Sequence, residues 1–310
     1  MRFARIRSGL VESVHDVSVI AIDRTGTTLY ATGDTDRPMF HRSAIKPFQA
    51  LAAMRLGLEL PPEHLAVTCS SHRGFPVQVA IVERILSDHG LGPDALQCPP
   101  DWPWAQRARD IVLRSGATGP ERRFHNCSGK HAGWLAACNV AGLPTESYLD
   151  PGHRIQRDIL GIVTDLTGED PEPVGVDGCG APTLRGTVHG LARAFSRLTS
   201  DPELAAIAGA MSQYPALVAD NVGCEGRFGI SSGGPSKGGA EGAFATSLHG
   251  IGIAAKSAEG SSAIAVAAAI EVARRIGLLP RTAAEQLDDC VRIPVIGASR
   301  QVGSLELVEA

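Results

Sequence analysis

HRSAIKPFQA, residues 41–50, opens the first predicted helix and carries the chain's first chemical signal. It places Ser43 three residues before Lys46, and positions i and i+3 share a face of a helix. Lysine occurs only at positions 46, 130, 237 and 256, whereas lysine and arginine together number 29. Arginine stays protonated in proteins, but a buried lysine can lose its proton. Each of these rare lysines is therefore a candidate for a specific role.

Length, composition and charge are ordinary for a soluble globular protein. The chain has 310 residues, of which 44% are hydrophobic and 20% charged, with a formal net charge of −4. It has no long basic run, so we do not expect nucleic acid as a partner. It also has no apolar signal-peptide core and no window of 18 uninterrupted apolar residues, so we expect no membrane span. The seven cysteines favour free thiols or metal ligands in a reducing cytoplasm over a disulfide framework.

Residue patterns predict strands at both ends of the chain and helices between them. The predicted strands are a hairpin at 17–23 and 27–32, a short strand at 65–68, a pair within 243–255 and a closing hairpin at 293–308. The predicted helices are 44–56, 77–89, 104–114, 129–141, 153–167, 184–199, 202–213, 259–276 and 281–290, with glycine-rich separators at 175–180 and 226–242. This order predicts an α+β fold in a single domain over 1–310. Its antiparallel sheet is built from the N- and C-terminal strands, with an inserted helical region.

Two serines and two lysines are candidates for nucleophilic catalysis. A neutral Lys46 amine can accept the Ser43 proton and make the serine oxygen nucleophilic. Ser71 follows the short predicted strand in TCSSHRG, and Lys237 lies among glycines in GGPSKGGAEG, where backbones approach closely. Structural roles are the alternative: a helix start with an exposed lysine, a loop-capping hydroxyl at Ser71 and a solvated loop lysine at 237.

Two further motifs predict a metal site. Cys127 and Lys130 lie at i and i+3 in HNCSGKHAGW, and Cys179 lies in GVDGCGAPT. The two thiolates could hold zinc, with His131, Asp177 or a water completing the coordination. The alternative is that these cysteines are small buried hydrophobic residues.

The segments RSAIKPFQA, CSSHRG, NCSGKHAG, DGCGAPT and KGGAEG follow one another in this order. Together they resemble the L-asparaginase II family of the thermolabile, serine/lysine-dependent type, over about residues 9 to 307. The resemblance implies a fold similar to serine β-lactamases and penicillin-binding proteins, a homodimer, and hydrolysis of L-asparagine to L-aspartate and ammonia. It implies a set of site residues: the catalytic pairs Ser43 with Lys46 and Ser71 with Lys237, and a zinc site at Cys127, Lys130 and Cys179.

Substrate binding is expected to involve Arg42, His131 and Asp177, with Arg42 or Lys130 facing the substrate carboxylate. Zinc is expected to position substrate rather than to make hydroxide, because a serine already supplies the nucleophile. One position departs from the family pattern: Phe75 stands where the family usually carries an acidic residue after the Ser-His of its second motif. The departure predicts a changed substrate preference if that carboxylate binds the substrate amino group.

Two other functions fit part of the sequence. Lys237 and the two glycines after it are close to the K-T-G signature of penicillin-interactive serine hydrolases, and Ser43 with Lys46 matches S-x-x-K. However, no S-D-N motif lies between them. A zinc-binding protein without catalytic activity is the second alternative, supported by Phe75. Acylation by a penicillin and release of ammonia discriminate among these functions.

Overall fold

The computed structural model describes residues 1–309, and most of its strands belong to one antiparallel sheet. The strands are β1 Arg2–Arg7, β2 Leu10–Asp23, β3 Thr28–Thr32, β4 Met39–Phe40, β5 Gly175–Val176, β6 Pro182–Thr183, β7 Arg185–Gly186, β8 Ser236–Gly239, β9 Ala243–Leu248, β10 Ile251–Ser257, β11 Ile293–Gly297 and β12 Arg300–Glu309. The sheet has the order β11-β12-β1-β2-β10-β9-β8, and β3 pairs with β2. The first strand therefore lies between the last strand and β2, which confirms a sheet built from both ends of the chain.

The helices fill the middle of the chain and continue after β10. They are α1 Lys46–Arg55, α2 Pro62–Thr68, α3 Pro76–Asp88, α4 Gln106–Arg114, α5 Ser128–Val140, α6 Arg154–Thr167, α7 Val188–Leu198, α8 Ala205–Gln213, α9 Pro215–Val218, α10 Cys224–Ser232, α11 Ser262–Arg275, α12 Arg281–Gln286 and α13 Asp288–Val291. Short 3₁₀ turns lie between some of them, including Arg42–Ile45 directly before α1. None of the helices within residues 1–309 is long and apolar enough to cross a membrane.

The sheet separates two hydrophobic clusters, because side chains alternate between the faces of a strand. Ile20 and Ile22 of β2 pack into the cluster that contains α1, α2, α5, α6 and α7. Val19 and Ala21 pack into the other cluster, with α11. Helix α7 lies very close to strand β10, since an added Cβ at Gly252 would be 2.0 Å from the carbonyl O of Ala192. The inserted helical region therefore rests on one face of the sheet.

Three predicted segments differ from the structure, and strands β1 and β8 were not predicted from the sequence. Residues 65–68, predicted as a strand, end helix α2, because Pro62 is tolerated in the first turn and four apolar residues cannot distinguish a strand from a helix. The glycine-rich stretch 226–242 is predicted as a separator, but helix α10 covers its first part. A glycine is needed at position 226 of this helix because the Asp220 backbone approaches it closely. Residues 281–290 form two short helices, α12 and α13, rather than one.

The cysteine prediction needs a correction as well. Cys224 at the start of α10 and Cys290 in α13 form a disulfide across 66 residues, with their Cα atoms 5.7 Å apart. Pairing at that separation depends on how α10 and α13 pack, which cysteine spacing does not reveal. The other five cysteines are free thiols, as predicted.

Candidate active site

The first motif forms the 3₁₀ turn Arg42–Ile45, from which α1 continues at Lys46. Arg42 has a left-handed backbone, with φ of 53°, which is uncommon outside glycine and tends to cluster at functional sites. The turn packs against strand β8: an added Cβ at Gly239 would lie 2.9 Å from the carbonyl O of His41. The Ser-x-x-Lys motif and the lysine-bearing edge strand are thus neighbours.

Lys46 is buried, with 1% of its surface exposed, and it reaches the second motif. Its Nζ donates to the Ser70 carbonyl O at 2.5 Å and lies 3.1 Å from Ser71 Oγ. Ser43 and Ser71 are both partly accessible to solvent. Within residues 1–309, no hydrogen bond joins Lys46 to Ser43. Nor does one join Lys237 to Ser71, so the lysine in contact with Ser71 is Lys46.

Lys237 is equally buried on β8, and its partner is a residue that the sequence analysis did not identify. Glu225 of α10 accepts hydrogen bonds from Lys237 Nζ at 3.3 Å and from the Gly238 N–H at 2.6 Å. Lys237 Nζ also donates to the Gly238 carbonyl O at 2.6 Å. Burial lowers the pKa of Lys237 to about 8, and Glu225 opposes this shift. Burial would raise the pKa of Glu225, but Lys237 and the Gly238 N–H lower it.

His72 connects the second motif to the third. The Gly74 N–H donates to its Nδ1 at 3.2 Å, so the ring hydrogen is on Nε2. Nε2 lies 2.7 Å from Ser128 Oγ, which in turn donates to the Arg123 carbonyl O at 2.9 Å. Burial lowers the pKa of His72 to about 3, and the charge of Lys46 acts in the same direction. His72 is therefore a neutral structural link rather than a proton carrier.

The predicted zinc ligands lie together. Lys130 Nζ donates to Cys179 Sγ at 3.3 Å and lies 4.5 Å from the centre of the Trp134 ring. The interaction between the Cys127 and Cys179 thiols lowers the pKa of Cys127 well below its ordinary value and raises that of Cys179. Lys46 lies close enough for its charge to favour the Cys127 thiolate too. No three His, Cys, Asp or Glu side chains of residues 1–309 form a metal-binding group, so zinc here would need Lys130 or an external ligand.

Arg42 and Asp177, both predicted to bind substrate, form an ion pair with each other. Arg42 Nε donates to Asp177 Oδ1 at 2.9 Å, and a terminal guanidinium nitrogen lies 2.8 Å from the same oxygen. Their side chains remain 25% and 13% exposed, so solvent reaches the pair. A substrate carboxylate would compete with Asp177 for Arg42.

His131, the third predicted substrate-binding residue, is fully buried. Its Nδ1 lies 2.6 Å from the hydroxyl O of Tyr148, which accepts from the Gln97 N–H at 2.9 Å. The other ring nitrogen, Nε2, is buried and has no hydrogen-bond partner among the described residues. Burial, helped by the Lys130 charge, lowers the pKa of His131 well below its ordinary value. The structure places this neutral ring in the core beside the thiols rather than at the surface of a cleft.

A cavity of about 530 Å³ opens on the other side of Arg42. Phe40, Glu241 and Lys256 line it, whereas the two candidate catalytic serines do not. Lys256, the fourth lysine, donates to the carbonyl O of Ser257 at 2.6 Å. This cavity borders the serine–lysine cluster without containing it.

The sequence profile of the L-asparaginase II family matches residues 4–307. The chain belongs to the L-asparaginase II family. As a member of this family, the protein is a hydrolase with a small-molecule substrate. No curated protein sequence gives a significant match.

Solved structures with similar folds are distant from this asparaginase II family member. Mglu in its native form is 16% identical with a TM-score of 0.44, covering 83% of this chain and 63% of its own. A β-lactamase from Mycobacterium bovis is 15% identical with a TM-score of 0.46, covering 84% of this chain and 94% of its own. A β-lactamase from Desulfarculus baarsii is 17% identical with a TM-score of 0.39, covering 85% and 92%. The chain thus spans 63% of the length of Mglu, and likeness at this level says nothing about substrate.

Proposed function

We propose that this asparaginase II family member hydrolyses L-asparagine to L-aspartate and ammonia, with Ser43 as the nucleophile. The supporting observation is the buried Lys46 Nζ, 3.1 Å from Ser71 Oγ and one helical turn after Ser43. A lysine between two serines can take a proton from one hydroxyl and pass it to the other. Lys237, on the adjoining strand β8, supplies a positive charge near the same serines.

In the first half of the reaction, Ser43 Oγ attacks the side-chain amide carbon of the substrate. The Ser43 proton moves to the Lys46 amine. Lys46 then gives a proton to Ser71 Oγ as the Ser71 hydroxyl gives its own to the amide nitrogen, so Lys46 and Ser71 end this half as they began it. The C–N bond then breaks, ammonia leaves, and an ester joins Ser43 to the aspartyl group. Backbone N–H groups near Ser43 and Ser71 stabilise the oxyanion formed on the way.

In the second half, water attacks the ester carbon. The water gives its proton to Ser71 as Ser71 gives one to Lys46, and Lys46 gives one to the departing Ser43 oxygen, so the proton path of the first half runs in reverse. The ester bond breaks, L-aspartate is released, and Ser43 regains its hydrogen. The proton that Ser43 loses in the first half leaves with ammonia, and a proton from water replaces it in the second half. The reaction therefore needs no reactant other than water.

Ammonia release from L-asparagine by the purified protein, with L-glutamine alongside, tests this proposal. We expect release from L-asparagine that is lost in Ser43→Ala. Full activity of Ser43→Ala would contradict the assignment and make Ser71 the candidate nucleophile. Labelling of Ser43 by a fluorescent penicillin, without ammonia release, would instead favour the penicillin-interactive function. Zinc binding with neither activity would favour the non-catalytic alternative.

We also propose that Cys127, Lys130 and Cys179 hold one zinc ion. Cys127 and Cys179 would supply two sulfur ligands, and Lys130 Nζ, 3.3 Å from Cys179 Sγ, would supply a third once it loses the proton that it donates to Cys179, which leaves a fourth position for water or substrate. Zinc bound there would supply a fixed positive charge that orients the substrate carboxylate. The charge of Lys46 favours the Cys127 thiolate, so a zinc ion there would bind in the same region as the proposed catalytic lysine.

Metal analysis and chelation test the zinc proposal. We expect about one zinc per chain in the wild-type protein and loss of most of it in Cys179→Ala. Chelation should raise KM for L-asparagine more than it lowers kcat, since the proposed nucleophile is a serine. Equal KM with and without zinc would contradict a role in substrate binding. The neighbouring thiol in Cys138→Ala is the matched control and should leave the zinc content unchanged.

A homodimer and a cytoplasmic location complete the proposal. Five free cysteines accord with a reducing compartment, although Cys224 and Cys290 are bonded. Light scattering should give twice the mass of one chain, and a value of one chain mass would contradict the dimer. Fractionation of the cells that make the protein tests the location.

A further inference from the structure

Glu225 is the carboxylate partner of Lys237, and it binds two adjacent groups of strand β8. One oxygen, Oε1, accepts from the Lys237 side chain and from the Gly238 backbone. A contact to the backbone fixes the carboxylate relative to the strand, and the contact to Nζ fixes the lysine relative to the carboxylate. Two anchoring points on neighbouring residues leave the ammonium group little freedom to rotate away.

The glycine at position 238 makes this contact possible. A Cβ added to Gly238 would lie 2.7 Å from Oε2 of Glu225 and 2.9 Å from its carboxyl carbon. Contacts shorter than 3.0 Å are essentially never seen for real side chains, so the carboxylate would have to move away. Replacing Gly238 therefore displaces the charge of Glu225 without removing it.

The start of helix α10 is itself fixed, and so is Glu225. Asp220 accepts backbone N–H bonds from Val222 at 2.8 Å and Gly223 at 2.5 Å. Arg73, from the second serine motif, donates to Asp220 at 2.8 Å. The Arg73–Asp220 ion pair therefore ties the segment that leads into Glu225 to the motif that carries Ser71, and the two backbone hydrogen bonds hold Asp220 at the start of that segment.

We propose that Glu225 is a positioning residue that holds the Lys237 ammonium group in the site and keeps it charged. Lys237 then acts as a fixed cation toward the substrate rather than as a base. This inference rests on the proposed function for the role of Lys237, but the contact itself can be tested without turnover.

The charges around Lys237 predict in which direction its pKa changes when Glu225 is replaced. Lys46 faces it from α1 and Arg73 from the segment after α2, and both favour loss of its proton, as does burial. The Cys69 thiol also lies near, but burial raises its pKa to about 12, so it is neutral at ordinary pH. Glu225 is the charge that opposes them. Without it, the pKa of Lys237 should fall by about 1 to 3, the usual effect of one close opposite charge.

Because the chain has only four lysines, the pKa of Lys237 can be measured directly by NMR. Protein labelled with ¹³C at lysine Cε gives four NMR signals, from positions 46, 130, 237 and 256. Lys237→Arg removes one signal and assigns it. Titration of wild-type and Glu225→Gln proteins then gives the pKa of Lys237 in each, while the other three signals report on the fold.

Glu225→Gln should lower the pKa of Lys237 by at least 1 and change the other three lysines less. Glu225→Asp keeps the charge and should retain more than half of the wild-type effect. Gly238→Ala should lower the pKa in the same direction, although no charge has been removed. An unchanged Lys237 titration in folded Glu225→Gln protein would overturn the proposal. If Glu225→Gln does not fold, an unchanged titration in Gly238→Ala would overturn it instead.

The dependence of asparaginase activity on pH gives a second test of the role of Glu225. If Lys237 acts as a cation, asparaginase activity falls as pH rises through its pKa of about 8. Glu225→Gln should then move this alkaline limb to lower pH, whereas a merely structural residue would lower activity equally at every pH. Absence of turnover in the wild-type protein would refute the proposed function, yet the NMR titration would still decide the Glu225–Lys237 contact.

Discussion

Replacing Ser71 by alanine removes the hydroxyl that lies 3.1 Å from Lys46 Nζ, while the Ser70 carbonyl O, at 2.5 Å, stays in place. The buried amine therefore keeps one acceptor, and the loss of stability should be small, below about 1 kcal/mol. The proton path to the leaving nitrogen is lost, however. A positioned acid or base contributes about 10²- to 10⁴-fold to a rate, or roughly 3 to 5 kcal/mol of barrier.

Ser70 provides a matched control, because it is the same residue type one position earlier. Its Oγ is buried and donates to the Val67 carbonyl O at 2.7 Å, at the end of α2. Ser70→Ala deletes that hydrogen bond at a cost of about 1 kcal/mol, and the Ser70 backbone carbonyl still accepts from Lys46. Ser71→Ala should thus lower kcat and keep stability, whereas Ser70→Ala should lower stability and keep kcat within about tenfold.

Steady-state ammonia release and guanidinium unfolding of the two variants, run side by side, measure both quantities. A fall of at least a hundredfold in kcat for Ser71→Ala, with an unfolding midpoint near the wild-type value, supports the proton path. Equal losses of activity in both variants would refute the reasoning, because the effect would then come from disturbing the segment rather than from one hydroxyl. Full activity in Ser71→Ala would remove Ser71 from the path altogether.

Three further predictions test other parts of the structure. Phe75→Glu, at the start of α3, should lower KM for L-asparagine about tenfold if a carboxylate there binds the amino group, whereas Phe75→Gln should not. Loss of the bond between Cys224 and Cys290 in a double alanine variant should lower the free energy of unfolding by about 4 kcal/mol, since it closes a loop of 66 residues; equal unfolding curves would contradict this. Tyr148→Phe leaves His131 Nδ1 without its hydrogen-bond partner and should cost about 1 to 3 kcal/mol in urea unfolding, with KM unchanged.

The sequence identifies candidate site residues because each lies in a motif with unusual composition. Lys46, Lys130 and Lys237 are three of four lysines, and all three are buried. The contacts between motifs could not be predicted in the same way. The pairing of Ser71 with Lys46 rather than Lys237 depends on where α2 ends relative to α1, and local sequence carries no information about that distance.

Glu225 was missed for a different reason. It lies at the edge of a stretch rich in glycine, which sequence rules interpret as a loop. The glycines at 226 and 238 serve close packing instead, one against the Asp220 backbone and the other against the Glu225 carboxylate itself. The disulfide escaped prediction for a related reason, because Cys224 and Cys290 meet only when α10 and α13 pack together.

The two lysines proposed to act in catalysis, Lys46 and Lys237, have different hydrogen-bond partners, which indicates different roles. Lys237 is paired with a carboxylate, and such a partner holds a proton on an amine. Lys46 forms no ion pair with a carboxylate of residues 1–309; its partners are a backbone carbonyl and the Ser71 hydroxyl. A hydroxyl can both give and take a proton, whereas a carboxylate beside a lysine mainly stabilises the charge. We therefore expect the lysine bonded to serine, Lys46, to exchange protons and the lysine bonded to Glu225, Lys237, to supply a lasting positive charge.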